Sequence, residues 1–324
     1  MKNLKFTLTF LFFNTFLNLN AQETVVDKIP FDIPLNDLDN YLSLKESNVE
    51  GIKPGNQAKV IWAKDFHQQK SPVSFVYLHG FGASHREGEP IMSMLSEKYN
   101  ANVYMARLEE HGIDRPNSFE YLTTENYIAS ALEALQIGRT LGEKVILVST
   151  STGGTLSLIL ASQKQEDVLG LILFSPFIDL INPAMAGIIL PGGKENFVKA
   201  IGGEIQKQQR PDEEAKYWST AYHVNGYVSL IKMVKENMSI DTFSKITIPV
   251  FLGYYYKNEA EQDKVVSVPA MLNMFEELGT SDENKVKVAF PEVGNHVIAC
   301  DLRSKDWQGV YEETTRFIDT KILK

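Results

Sequence analysis

The sequence predicts an α/β fold, a mostly parallel central sheet flanked by helices with a helical insertion. From residue 57 onward, runs of β-branched and aromatic residues alternate with amphipathic helical segments, the pattern of a parallel sheet covered on both faces. The apolar run Val145-Ile146-Leu147-Val148 passes directly into a Ser/Thr/Gly turn and then a helical stretch, as a βα unit requires. A chain of 324 residues at 44% hydrophobic content can also bury a large core, in one enlarged domain over residues 22–324 as readily as in two small ones.

The first 21 residues read as a signal peptide. Lys2 and Lys5 precede the apolar run from Phe6 to Leu19, and Ala21 is a plausible last cleaved residue. The run falls short of the roughly 20 apolar residues that span a bilayer, and Asn14 and Thr15 interrupt it. Export to the periplasm or the exterior is the expectation, with no membrane span in the mature chain. No cysteine lies near the cleavage point to carry a lipid. The formal net charge of -9 offers no basic field for polyanions, so nucleic acid is not an expected partner. Cys300 is the single cysteine, which excludes an intramolecular disulfide, and its apolar setting after Val297-Ile298-Ala299 reads as a buried, inert thiol.

After a mixed stretch over residues 22–55, strands are expected at Gln57 to Ala63, Val73 to Leu78, Asn102 to Ala106, Lys144 to Ser149, Leu169 to Phe174, Ile248 to Tyr254 and Lys285 to Phe290. Ile128, Leu132, Leu135 and Ile137 recur at helical spacing between Glu125 and Leu141, and Trp307, Val310, Tyr311, Thr314 and Ile318 do so near the C-terminus. The rhythm breaks between about Phe177 and Phe243, where no strand-like run is visible and Pro183, Pro191-Gly192-Gly193 and Gly202-Gly203 punctuate short apolar-periodic pieces. A helical insertion after the fifth parallel strand, lying over the C-terminal edge of the sheet as a cap, is the reading.

The turn Ser149-Thr150-Ser151-Thr152-Gly153-Gly154 has the strand, sharp turn and helix of a nucleophile elbow around Ser151. A nucleophile held there needs small residues two before and two after it. Ser149 and Gly153 meet that need, although Ser149 stands where the usual pattern has glycine. The helix N-terminus that follows favours a developing anion. A Ser/Thr-rich helix cap without chemistry would look similar. An earlier strand breaks into Leu78-His79-Gly80-Phe81-Gly82, a glycine-rich turn whose backbone can point N–H groups into a site. The N–H groups of Phe81 and Thr152 are the candidate oxyanion donors, and His79 is expected to fix the loop. With a nucleophile on such an elbow, acid and base follow it in the chain. Of six histidines only His223 and His296 lie downstream of Ser151, and Gly294-Asn295-His296 follows the last strand. His223, inside the insertion, reads as a lid or surface residue. Asp263, ahead of a helix beginning near Ser267, is favoured as the acid over Glu259 and Glu261, with Asp241 more remote.

Together the Leu78 to Gly82 turn, Ser149 to Gly154, the Gln262 to Val266 stretch and Gly294 to Val297 resemble the α/β-hydrolase superfamily, in particular its monoglyceride-lipase-like and carboxylesterase-like branch with a helical cap. The resemblance covers most of the chain from about residue 57. It implies a Ser151–His296–Asp263 triad with the serine hydroxyl in hydrogen-bonding reach of the imidazole, hydrolysis of a small-molecule carboxylic ester, and no metal or organic cofactor. Ile188, Ile189, Leu190, Trp218, Tyr222, Leu230 and Met233 motivate an apolar acyl pocket, and packing between cap and core accounts for them equally. The same triad would serve a peptidase or thioesterase, and the fold also serves non-catalytic binding proteins.

Overall fold

The computed structural model describes residues 33–324, so the expected signal peptide lies outside the described residues. All seven expected strands are present: β1 (Lys59–Ile61), β2 (Ser71–Leu78), β3 (Asn102–Met105), β4 (Gly142–Thr150), β5 (Val168–Phe174), and, after the pair β6 (Ile205–Lys207) and β7 (Ala221–His223), β8 (Val250–Tyr254) and β9 (Lys285–Ala289). The central sheet runs in the order β1-β3-β2-β4-β5-β8-β9. β1 pairs antiparallel with β3 and every other pair is parallel. The expected first strand is thus shortened to three residues at an antiparallel edge. The long segment after β5 follows the fourth parallel strand rather than the fifth.

The helices are α1 (Leu38–Ser47), α2 (Ile91–Tyr99), α3 (Thr124–Leu141), α4 (Thr152–Lys164), α5 (Gly193–Ile201), α6 (Asp212–Ala215), α7 (Val224–Asn237), α8 (Ile240–Phe243), α9 (Val268–Glu277) and α10 (Trp307–Phe317). Successive strand residues point to opposite faces, and here both faces are buried. Val76, Leu78, Leu147, Leu171 and Leu252 join one core with Leu132 and Leu135 of α3, Leu156 of α4 and Met271 of α9. Phe75, Tyr77, Ile146, Val148, Ile172 and Phe251 join the other with Leu95 of α2 and Val310 and Phe317 of α10. That double burial is why the strands read as continuous apolar runs. α1 was hidden in the stretch read as mixed, its polar face exposed and only Leu38, Leu42 and Glu46 buried.

The segment between β5 and β8 is helical in part, as expected, but it also carries the antiparallel pair β6–β7, a correction to the purely helical reading. Three-residue strands are too short for a period of two to register in sequence. Among the described residues no helix is long and apolar enough to cross a membrane.

Candidate active site

Ser151 stands between the last residue of β4 and the first of α4, at φ 55° and ψ -118°. A side chain seldom tolerates a positive φ, and such a conformation costs on the order of 1–3 kcal/mol, so surrounding contacts must impose it. They do: the Ser151 N–H donates to the Phe174 carbonyl at 3.0 Å, and its own carbonyl accepts from Gly154 and Phe177, both at 2.9 Å. Gly153 lets α4 approach β2, since a Cβ there would lie 2.0 Å from the Leu78 carbonyl oxygen. Ser149 is fully buried in the preceding strand.

Beside this elbow lies the His79–Gly82 turn. A Cβ on Gly80 would stand 3.1 Å from Ser151 Cβ, so any larger residue there would crowd the serine. Gly82, at φ +73°, has the Tyr222 ring against it. His79 donates from Nδ1 to the Gly80 carbonyl at 2.9 Å and accepts at Nε2 from the Leu108 N–H at 3.1 Å. Both nitrogens are thereby used, and burial pulls its pKa down to about 4. Phe81 lines the cavity, and its N–H bonds to no group among the described residues. Thr152 occupies the first helical position of α4, where an N–H has no acceptor within the helix.

His296 lies past β9 and reaches back to the loop after β8, where its Nδ1 meets Asp263 Oδ2 at 2.6 Å. The other carboxylate oxygen of Asp263 accepts from the N–H groups of Val265 and Val266 at 2.8 and 3.1 Å, which fixes its orientation. Burial alone would raise Asp263, but the imidazole and these N–H groups hold its carboxyl below the usual range. Burial alone would lower His296, but the charge and hydrogen bond of Asp263, with Glu87 adding to them, hold it above its ordinary value. The remaining nitrogen, Nε2, is buried and has no hydrogen-bond partner among the described residues. Ser151 and His296 line one cavity of about 660 Å³. The expected serine–imidazole hydrogen bond is not formed.

The rival acids are elsewhere. Glu259 is exposed and accepts from Tyr256 and Gln262, Glu261 sits on the cavity rim with Asn258, and Asp241 pairs with Lys245 in solvent. His223 caps α7 through Nδ1 and does not line the cavity. Cys300 is wholly buried against the Arg86 carbonyl, and burial pushes its thiol up to about 12.

Of the residues expected to form an acyl pocket, Trp218, Tyr222 and Leu230 line the cavity. Ile188 and Ile189 instead pack on α7, Met233 belongs to the core, and Leu190 is exposed. Helical spacing alone does not separate a ligand-facing stripe from a packing one. The wall is more aromatic and more polar than expected: Phe81, Tyr222 and Tyr227 lie with ring centroids 5.6 to 5.9 Å apart, and Arg210 donates to the Tyr222 hydroxyl at 3.0 Å. Sequence reasoning missed Glu87, which is buried in the cavity wall. Nothing in the run Arg86-Glu87-Gly88-Glu89 separates it from a solvated charge. Among the described residues no group of three or more His, Cys, Asp or Glu is placed to hold a metal ion.

No protein-family model matches the chain. A Mycoplasma pneumoniae protein named "Putative esterase/lipase 2" is 25% identical over 111 residues, 34% of this chain and 40% of that protein. The match thus spans well under half of the relative's length. Among solved structures, that of the metagenome-derived lipolytic enzymes LipS and LipT superposes with a TM-score of 0.64 at 17% identity, covering 83% of this chain and 99% of the other. A Paleococcus ferrophilus monoacylglycerol lipase follows at 0.58 and 15%, covering 81% and 97%. Est1E of Butyrivibrio proteoclasticus, solved with ferulic acid, gives 0.55 and 18%, covering 83% and 96%. With its parallel sheet, helices on both faces and strand-turn-helix elbow, the chain has the α/β-hydrolase fold.

Proposed function

We propose that the protein is a serine hydrolase of carboxylic esters, with Ser151 as nucleophile, His296 as base and Asp263 as orienting acid. The observation that carries this reading is the pairing, in one cavity, of a serine forced to positive φ with an imidazole tied at Nδ1 and open at Nε2. Ser151 Oγ attacks the ester carbonyl carbon while His296 Nε2 takes its proton. The tetrahedral oxyanion is received by the N–H groups of Phe81 and Thr152, each such donor being worth roughly 3 to 4 kcal/mol when lost. Collapse breaks the bond to the alcohol oxygen, which leaves with the proton from Nε2. A water molecule then repeats the cycle on the acyl-enzyme, returning the acid and free serine. Asp263 stays ionised and holds the Nδ1–H tautomer.

The esterase and lipase names among the structural neighbours support ester rather than other acyl substrates. The ringed wall of Phe81, Tyr222 and Tyr227 suits an acyl or alcohol portion with flat apolar surface, and export after cleavage near Ala21 belongs to the same reading. A fluorophosphonate probe is expected to label the intact protein at Ser151. Ser151→Ala is expected to abolish labelling and to reduce hydrolysis of p-nitrophenyl acetate by about 10³-fold or more. Labelling elsewhere, or esterase activity surviving in that variant, refutes the assignment. Mass spectrometry of the exported chain tests the cleavage point.

A further inference from the structure

Glu87 lies in the short turn His85–Gly88 that follows the glycine-rich turn, and it is 3% exposed. Its two oxygens have different partners. Oε2 accepts the Gly80 N–H at 2.7 Å, and Oε1 accepts the Trp218 indole N–H at 3.1 Å. Gly80 is the residue wedged against Ser151, and the point 3.1 Å from Ser151 Cβ where a Gly80 Cβ would stand is also 3.1 Å from Glu87 Oε2. Trp218 belongs to the segment inserted between β5 and β8. That segment meets the same turn twice more, through the Ser219 N–H on the Gly82 carbonyl at 2.7 Å and the Tyr222 ring on Gly82.

Burying a carboxyl group is costly unless its acceptors are filled. A turn that needed only its own N–H satisfied could use a serine or asparagine, as turns commonly do. Two donors, one 7 residues before Glu87 and one 131 residues after it, each take their own oxygen on one side chain, which a carboxylate supplies and an amide does not. Glu87 therefore ties the His79–Gly80 peptide through the Gly80 N–H, while His79 Nδ1 ties the carbonyl of the next peptide, Gly80–Phe81. With the peptides on both sides of the Gly80 Cα tied, the Phe81 N–H has little freedom to turn.

We infer that Glu87 is a positioning residue of the hydrolysis: it fixes the backbone at Gly80 so that the Phe81 N–H of the following peptide meets the developing oxyanion, and through Trp218 it sets the inserted segment against that turn. This inference rests on the serine-hydrolase reading. The groups that face Glu87 are His296, Arg303, the Gly80 N–H and the Trp218 indole, while the Tyr77, Tyr127 and Tyr222 hydroxyls and the Cys300 thiol lie within range of its charge. Burial raises Glu87, and the Gly80 N–H, His296 and Arg303 oppose that rise. In its ionised form Glu87 adds to Asp263 in favouring protonated His296.

The test uses the full chain with p-nitrophenyl acetate and a fluorophosphonate. Glu87→Gln keeps size but offers a single oxygen, and turns an amide N–H toward one of the two donors. It is expected to lower kcat by about 10- to 100-fold with KM within about threefold, because a misaimed donor weakens the transition state and not the ground state. The acid limb of its kcat/KM profile is expected to move to lower pH, since a negative charge facing His296 is gone. Trp218→Phe removes the indole donor. Combined with Glu87→Gln it frees the single amide oxygen for Gly80, so the double variant is expected to regain part of the lost kcat. A folded Glu87→Gln protein with wild-type kcat and an unmoved acid limb overturns the inference, as does a double variant that loses the product of the two single effects. Should Glu87→Gln fail to fold, Trp218→Phe decides alone: a drop of about 3- to 10-fold in kcat at constant KM supports the coupling, and unchanged kcat refutes it. Failure of the wild-type protein to be labelled at Ser151 would instead sink the hydrolase reading itself.

Discussion

His79 and His296 stand in glycine-bearing turns on either side of Ser151, each following a strand of the same sheet, and the two rings meet opposite surroundings. His79 spends both nitrogens on backbone groups and is driven down to about 4 by burial. His296 is also largely buried, yet the carboxylate at Nδ1 holds it above its ordinary value and Nε2 remains open. Burial alone does not make a base. The proposed base has in addition a neighbouring carboxylate and an uncommitted nitrogen, which His79 lacks. The two also bend stability with pH in opposite senses. The stability associated with His296 is complete below about 6.5 and is lost as pH rises through its folded pKa, whereas that of neutral His79 is complete above about 6.5 and is lost as pH falls toward about 4.

The sharpest way to break this contrast is to remove the carboxylate. Asp263→Asn is expected to reduce kcat by about 10²- to 10⁴-fold with the fold intact, and to shift the residual acid limb downward, because the charge that raises His296 is gone. The wild-type limb is expected above about 6.5, the ordinary histidine value, with activity falling as pH drops through it. A pH–rate profile of both proteins measures this, and a limb unmoved by the substitution would count against the pairing. The reverse operation on the other ring is expected to act on stability. His79→Gln leaves the Leu108 N–H or the Gly80 carbonyl poorly paired in a buried site, for a loss of about 1–3 kcal/mol in urea unfolding. It should also make the fall in stability below pH 6.5 shallower by about one proton, since one buried neutral histidine no longer titrates on unfolding. The smallest effect is expected at Ser149→Gly, which puts glycine two residues before the proposed nucleophile. Hydrolysis should stay within about threefold of wild type, because the close approach is made by Gly153, whose Cβ would meet the Leu78 carbonyl oxygen. A large gain in activity would show that Ser149 obstructs the elbow.

Much of the sheet and the candidate triad was legible in the sequence, for physical reasons. Strands buried on both faces leave unbroken apolar runs, and the tight packing around Ser151 and Gly80 forces small residues into recognisable places. Asp263 could be preferred over Glu259 because the start of α9 aims a preceding carboxylate inward. The β6–β7 pair, α1 and Glu87 were not legible. The first two are short or largely solvated and carry weak periodicity. Glu87 acquires its meaning only when Gly80 and Trp218 are brought to its two oxygens, a convergence that no local pattern encodes. The apolar residues of the inserted segment divide for a related reason: Trp218, Tyr222 and Leu230 line the cavity, whereas Ile188 and Met233 face neighbours, and spacing alone did not separate the two groups.

The setting of Cys300 opens a practical route. A lone thiol that is fully enclosed and protonated at neutral pH will ignore maleimide reagents, so the native chain is a silent background for dye attachment. A cysteine placed at Leu190, 63% exposed in the inserted segment, would then take up the fluorophore selectively. Its emission would report directly on whether that segment shifts when an ester occupies the cavity.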